Sequence, residues 1–109
     1  MEIIINDTHC IITPLSKKLT RNDVERLKQE IYSIDNKKIG LNLLCVNECT
    51  IEFFDLIKNI KNLGLFNINS DLFAILLSMN FDKVTKLYVC ENDFIDEARQ
   101  LLARKFQIV

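Results

Sequence analysis

Glycine, proline and histidine are scarce in this sequence of 109 residues, which contains two glycines, one proline and one histidine. The chain therefore has no flexible linker, no low-complexity segment and no glycine-rich loop that would hold a phosphate group. The single histidine, His9, lacks an identified partner as a general base, and no serine or cysteine stands in a recognisable nucleophile motif. These absences predict a protein that is not an enzyme.

The sequence also has no large excess of charge of either sign, because its 14 basic and 15 acidic side chains are interspersed and leave a net charge of −1. The basic block or stripe that marks a nucleic-acid-binding protein is missing. Segment 1–6 lacks the charged start and long apolar core of a signal peptide, and no apolar run approaches the roughly 20 residues of a membrane-spanning helix. We expect a cytoplasmic protein without direct membrane insertion.

The four cysteines do not form a metal-binding pattern. Cys45 and Cys49 are four positions apart, but the sequence has no second cysteine pair and only one histidine. A zinc site needs about four ligands at suitable spacing, and disulfides are rare in the cytosol. We predict four reduced cysteines, no metal and no cofactor.

The apolar patterns alternate between strand-like and helix-like stretches, and residues 1–109 fit a single domain. Strands are predicted at 3–5, 10–13, 39–46, 65–68 and 86–90, and the tail 106–109 is a candidate for a last strand. Helices are expected to begin after Thr20 and Thr50, after Asn69 or Ser70, and at Asn92 or Asp93. This order predicts an α/β fold with a mixed, mainly parallel central sheet and four surrounding helices.

Two details of this fold follow from single segments. Segment 39–46 is nearly all apolar, as is typical of a strand buried on both faces, so it should be central in the sheet. Gly64 follows the apolar stripe of the second helix and is expected to end that helix.

The second helix carries the most informative surface. Its apolar stripe consists of Phe53, Leu56, Ile57, Ile60 and Leu63. Ile51 and Phe54 lie to one side of this stripe, among the charged residues Glu52, Asp55 and Lys58. Two interpretations remain open: the apolar pair packs at the edge of the stripe, or it is the centre of a protein-binding patch with a charged rim. The third helix is apolar over a wide arc, which indicates deep burial or a homodimer contact.

The element order and several segments resemble the STAS domain, the family named for sulfate transporters and anti-sigma factor antagonists. The similar segments are 38–43 with the Thr50 helix, 64–68 leading into 70–73, 79–83, and the acidic start of the last helix at 91–94. In the anti-sigma factor antagonists, an Asp-Ser-Ser-Gly-like motif begins the second helix and contains the residue that a partner kinase phosphorylates.

This sequence departs from that motif. The matching residues are 49–52 or, shifted by one, 50–53, and Thr50 is the only hydroxyl among them. In the shifted register Glu52 takes the acceptor position and would mimic a permanent negative charge. Because Thr50 is also expected to cap the helix, we predict that phosphorylation does not control this domain in the usual way.

The resemblance implies a bacterial regulatory domain that binds another protein through the start of the second helix. One candidate partner is a kinase-like anti-sigma factor. The alternative is that the chain is a STAS subunit of a lipid transporter, docked on an ATPase, and the missing Ser-Gly motif makes this alternative credible.

Overall fold

The computed structural model describes residues 1–107, with side chains described for residues 1–100. The elements, in chain order, are β1 (Glu2–Ile5), β2 (His9–Thr13), β3 (Lys18–Leu19), α1 (Arg21–Tyr32), β4 (Lys38–Asn42), β5 (Glu48–Cys49), α2 (Ile51–Lys58), β6 (Leu63–Phe66), α3 (Ser70–Ser78), a 3₁₀ turn (Phe81–Lys83), β7 (Lys86–Leu87) and α4 (Glu91–Gln107). The predicted order of strands and helices is confirmed. The two-residue strands β3 and β5 were not predicted, since they are too short to show an alternating pattern.

The main sheet has the order β1-β2-β4-β6-β7. β1 and β2 form an antiparallel hairpin, and the other neighbours are parallel. β4 is the middle strand, as its apolar sequence predicts. The predicted mixed, mainly parallel sheet with four helices is therefore correct.

Several segments have bounds that differ from their predictions, and the strand predicted at 65–68 is β6 at Leu63–Phe66. β4 stops at Asn42 rather than continuing to Val46, because the Asn42 side chain accepts a hydrogen bond from Leu44 N–H (3.1 Å) and turns the chain. The strand predicted at 86–90 is reduced to β7. The candidate strand at the tail is wrong for residues 106–107, which continue α4, while residues 108–109 lie outside the described residues.

The sheet separates two apolar layers. α1, α2 and α3 cover one face and form the larger core with β2, β4 and β6. α4 covers the other face, where Phe94 packs with Ile11, Phe66 and Tyr88. The Phe94 ring stacks on Phe66 at 5.5 Å between centroids and meets Tyr88 edge-on at 5.6 Å.

The two glycines make room for Phe94. Gly40 and Gly64 are register partners in β4 and β6. A Cβ on Gly40 would lie 2.8 Å from a Phe94 ring carbon, and one on Gly64 would lie 2.5 Å from a Tyr88 ring carbon. The prediction that Gly64 ends the second helix is wrong, because α2 ends at Lys58 and Gly64 is needed for the close approach of these rings.

Asparagine takes the usual place of glycine at turns with a left-handed backbone. The residues with positive φ are Asn36 (61°), Asn62 (63°), Asn67 (55°) and Asn80 (61°). Three of them follow α1, α2 and α3, and Asn67 follows β6. Asparagine enters this region more readily than most residues with a Cβ atom, so a glycine-poor chain can still turn sharply.

The turn between β1 and β2 is organised around His9, which is buried. Asn6 Oδ1 accepts hydrogen bonds from the backbone N–H groups of Thr8 and His9, both at 3.1 Å. The Asn6 Nδ2 group therefore donates to His9 Nε2 at 2.9 Å, which leaves the ring proton on Nδ1, 2.6 Å from Thr8 Oγ1. Burial, followed by the positive charge of Arg99, lowers the pKa of His9 below its usual value of 6.5.

The wide apolar arc of α3 does not reflect deep burial. Only Leu72 and Leu76 of this helix are buried. Phe73, Ile75 and Leu77 are 37%, 47% and 43% exposed. The homodimer contact suggested for this helix stays a prediction.

Candidate protein-docking site

Three loops meet at the carboxyl edge of the parallel strands: residues 14–17 after β2, 43–47 after β4 and 67–69 after β6. In an open α/β sheet this edge is the usual place for binding sites. We call these loops, together with the first turn of α2, the docking edge.

The first two loops are joined by backbone hydrogen bonds. Lys17 C=O accepts from the N–H groups of Asn47 (2.7 Å) and Glu48 (3.2 Å). These bonds lead into the parallel pairing of β3 with β5. The loop after β4 is thereby fixed against the loop after β2.

Asparagine side chains join the second and third loops. Asn67 Nδ2 donates to Asn42 Oδ1 at 3.0 Å, and Asn69 Nδ2 donates to the Val46 carbonyl at 3.0 Å. Asn69 Oδ1 also accepts from Leu72 N–H at 2.8 Å and so caps α3, as predicted for Asn69 or Ser70. The docking edge is therefore a connected network rather than three independent loops.

The small sheet of β3 and β5 sets the position of α2. Thr50 follows β5, and its N–H donates to the Leu19 carbonyl at 3.1 Å. α2 then begins at Ile51. The first turn of α2 is thus held next to the loops that follow β2 and β4.

Thr50 occupies the predicted N-cap position, but its side chain does not cap the helix. The hydroxyl makes no hydrogen bond to the first turn of α2, and Oγ1 is buried without a partner among the described residues. In contrast, Thr20 forms a full capping box with Asp23 at the start of α1. The expected capping bond of Thr50 is wrong, although the helix begins where it was predicted.

Glu52 lies in the first turn of α2, where a carboxylate is favoured by the helix dipole. A hydrogen bond from its own backbone N–H is the main cause that lowers the pKa of Glu52, followed by the nearby Thr50 hydroxyl, and the positive charge of Arg21 contributes in the same direction. The side chain therefore carries a stable negative charge at the start of the helix.

Exposed aliphatic side chains stand out on the docking edge. Ile51 is 70% exposed, Leu44 is 69% exposed and Leu15 is 55% exposed. Each comes from a different segment of the edge, and Leu15 and Ile51 have polar or charged neighbours in the sequence, whereas Leu44 lies between Leu43 and Cys45. Large apolar side chains inside a polar surround have the composition of an interface centre and its rim.

The residues predicted on α2 separate into two groups. Ile51, Asp55 and Lys58 are exposed, and the Lys58–Asp55 pair is separated by 3.9 Å at an exposed position, where an ion pair contributes little stability. Phe54 differs, because its ring is half-buried against the core and lies 5.6 Å from the ring of Phe81. Phe54 therefore packs at the edge of the apolar stripe, and its part in partner binding stays a prediction.

Sequence reasoning missed Leu15 and Leu44 as surface residues. Leu44 was assigned to a buried strand because it lies within an unbroken apolar run. Leu15 follows Pro14 and precedes Ser16 and two lysines, and this isolated apolar residue in a polar loop was the available signal.

A groove of about 1020 Å³ lies on another side of the molecule, between the segments that precede β4, β6 and β7. Four of its polar side chains, those of Lys38, Lys86, Tyr88 and Glu97, interact with one another. Lys38 Nζ lies 3.1 Å from Glu97 and donates to the Tyr88 hydroxyl, and Lys86 Nζ lies 3.8 Å from Glu97. Burial is the main cause that raises the pKa of Tyr88 well above its usual value. This network attaches α4 to the sheet.

The cysteines have the character of structural residues. Cys10 is buried in β2, and the other three are half-buried. Burial raises the pKa of the Cys49 thiol to about 11, so this thiol is a poor nucleophile near neutral pH. Within the described part of the chain, no three metal-ligating side chains come together in a cluster.

No protein-family model matches the sequence, and no curated protein matches it significantly. Among solved structures, the crystal structure of a candidate anti-sigma factor antagonist from Thermotoga maritima matches with a TM-score of 0.78. The match covers 90% of this chain and 93% of that chain, at 22% sequence identity. The chain has the STAS fold. The predicted resemblance is thus confirmed for the architecture, over nearly the full length of both chains.

No helix among the described residues is long and apolar enough to cross a membrane.

Proposed function

We propose that this chain is a non-catalytic regulatory module that acts by binding another protein through the docking edge. The observation that carries this proposal is the set of three exposed aliphatic side chains, Leu15, Leu44 and Ile51, on a hydrogen-bonded edge. The likeness to a candidate anti-sigma factor antagonist supports this class of function. Partner binding would remove these side chains from water, which is the main favourable contribution to association.

The partner that we favour is a kinase-like anti-sigma factor in a bacterial cytoplasm. The alternative is the ATPase subunit of a lipid transporter, and the lack of a serine at the start of α2 supports it. Both partners would use the same edge, so the identity of the captured protein distinguishes them.

We further propose that the complex is not released by phosphorylation of this chain. The Thr50 hydroxyl oxygen is buried, so a kinase would have to open the helix start to reach it. Glu52 already provides a fixed negative charge in the first turn. Incubation of the captured partner with ATP should leave Thr50 unmodified, and phosphate incorporation there with loss of binding would contradict this proposal.

The docking edge can be tested with two matched substitutions. Ile51→Glu places a charge in the centre of the edge, whereas Ile4→Glu makes the same change on β1, at a residue with similar exposure of 59%. Affinity capture from the native host followed by mass spectrometry identifies the partner, and titration calorimetry with the purified partner gives the affinity. Since an interface anchor contributes about 2 kcal/mol or more, Ile51→Glu should weaken binding by about 30-fold or more.

The Ile4→Glu protein should bind the partner like the unmodified chain. If both variants bind normally and melt normally, the docking edge is not the binding surface and the proposal fails. Glutamate is well tolerated in the first turn of a helix, so loss of binding by Ile51→Glu would not reflect unfolding.

A further inference from the structure

β1 is one of the two edge strands of the main sheet, and its outer edge pairs with no strand among the described residues. Ile3, Ile4 and Ile5 are 37%, 59% and 57% exposed. Natural edge strands usually carry a charged residue, a proline or a bulge that blocks pairing with another chain. Apart from Glu2 at its start, β1 has none of these features, so the edge formed by its three isoleucines is open to a further strand.

The hydrogen bonds of the hairpin determine which groups face outward. Asn6 N–H donates to the His9 carbonyl at 3.0 Å and closes the turn. Bonded and non-bonded pairs alternate along an antiparallel ladder. Ile4, the register partner of Ile11, therefore bonds to β2, and the N–H and C=O groups of Ile3 and Ile5 point away from the sheet.

We propose that two copies of this chain pair through β1, antiparallel about a two-fold axis at Ile4, to form one continuous sheet. Ile3 of each copy then exchanges two hydrogen bonds with Ile5 of the other, which satisfies four N–H and four C=O groups. The two Ile4 side chains face each other as a non-hydrogen-bonded pair, in which side chains approach most closely. Pairs of β-branched residues at such positions stabilise a sheet.

The charges around this pairing fit a second copy of the chain. Glu2 of one copy lies beside Asn6 of the other, and the Asn6 carbonyl already accepts a hydrogen bond from the Lys37 ammonium group. The pairing thus brings an acid towards a base and places no like charges opposite each other. A register centred on Ile3 would place Ile5 opposite Met1 and Ile4 opposite Glu2, so only Ile3 would face another isoleucine.

The other edge of the sheet favours a closed dimer over a filament. β7 contains two residues, one of which is the exposed Lys86, and cannot match the four-residue strand β1. A head-to-tail arrangement of β1 on β7 is therefore poorly supported. The isologous pairing uses both β1 edges and closes after two copies.

The proposed interface is small. It consists of one strand from each copy, so it falls in the class of weak contacts below about 1,200 Å² of total buried area. We therefore expect a dimer that forms with rising protein concentration, between the micromolar and millimolar range. Sedimentation equilibrium over that range should show monomer at the low end and dimer at the high end.

Amide hydrogen exchange locates the contact. The Ile3 and Ile5 amides should exchange at least 10-fold more slowly at the high concentration, whereas the Ile4 amide should be protected by β2 at both concentrations. Ile4→Glu should abolish the dimer, because two carboxylates would face each other across the axis. Ile51→Glu, the matched change at the docking edge, should dimerise like the unmodified chain.

Three results would overturn the proposal. The first is a chain that remains monomeric to millimolar concentration. The second is a dimer that persists in the Ile4→Glu protein. The third is a dimer in which the Ile3 and Ile5 amides exchange as fast as in the monomer, which would assign the contact to another surface, such as α3.

Discussion

The substitution Gly64→Ala, which adds one methyl group, tests how closely Tyr88 and Phe94 of the α4 side pack on the sheet. A Cβ atom at this position would lie 2.5 Å from Tyr88 Cε2 and 3.0 Å from Phe94 Cδ1. Carbon atoms are most favourably separated by about 3.5–4.0 Å, so the overlap with Tyr88 amounts to about 1 Å. Phe94 cannot move freely to the other side, because it is packed equally closely over Gly40. Gly64→Ala therefore forces α4 and its aromatic rings away from β6.

The expected cost combines two opposing effects. Overpacking of a well-packed core costs about 1–3 kcal/mol, and this overlap belongs near the upper end of that range. Replacing a strand glycine by alanine returns about 0.5–1 kcal/mol, because the unfolded chain loses freedom. The net loss in the free energy of unfolding is about 2 kcal/mol. For a domain of about 100 residues this corresponds to a decrease in Tm of about 10 °C.

Urea unfolding followed by circular dichroism measures this loss. The same substitution in a Tyr88→Leu background should cost about 1 kcal/mol less, since coupling between contacting residues lies in this range. Gly40→Ala, whose Cβ would lie 2.8 Å from ring carbons of Phe66 and Phe94, should also lower the free energy of unfolding. If Gly64→Ala were as stable as the unmodified protein, Phe94 and Tyr88 would not pack over the glycines as described.

Three further substitutions test individual side chains. Phe54→Asp should lower the free energy of unfolding by about 2 kcal/mol or more, because it places a charge in the contact with the core, and an unchanged urea midpoint would contradict this packing. Thr50→Val should leave the free energy of unfolding unchanged or raise it, whereas the control Thr20→Val should lower it by about 1 kcal/mol, and equal losses would show that Thr50 does cap α2. Because the fold lowers the pKa of His9, the unfolded state binds more protons, and Tm should fall as the pH falls through 6.5. Tm should depend less on pH in a His9→Gln protein over the same window, and identical pH profiles would refute this role.

The parts of the fold that the sequence predicts are those with a repeating pattern or a local bond. β4 is central because its residues are apolar on both faces, and α1 begins after Thr20 because the side chains and backbone N–H groups of Thr20 and Asp23 bind each other. Such features require no knowledge of distant residues. They were predicted correctly, apart from the end of β4.

The errors and the alternative left open for Phe54 arose where a distant residue decides the structure. Gly64 is the expected type of residue for a helix end, but its place is fixed by Phe94, thirty positions later in the chain. Phe54 lies beside the apolar stripe of α2, and only its contact with Phe81 shows that the ring is covered. Thr50 stands at a helix start, yet its backbone is bound to Leu19 of β3 and its hydroxyl makes no capping bond. Helical spacing in one sequence contains none of this information.

The left-handed asparagines have a consequence for recognition. Asn67 lies within the docking edge with a φ of 55°, and its side chain is held by Asn42. A glycine at this position would turn equally well but would give the free loop many more conformations to lose on binding. Asparagine limits that loss before a partner arrives, so more of the contact energy remains as affinity. A surface built in this way selects its partner by shape that already exists in the free protein, and it adapts poorly to a partner of a different shape.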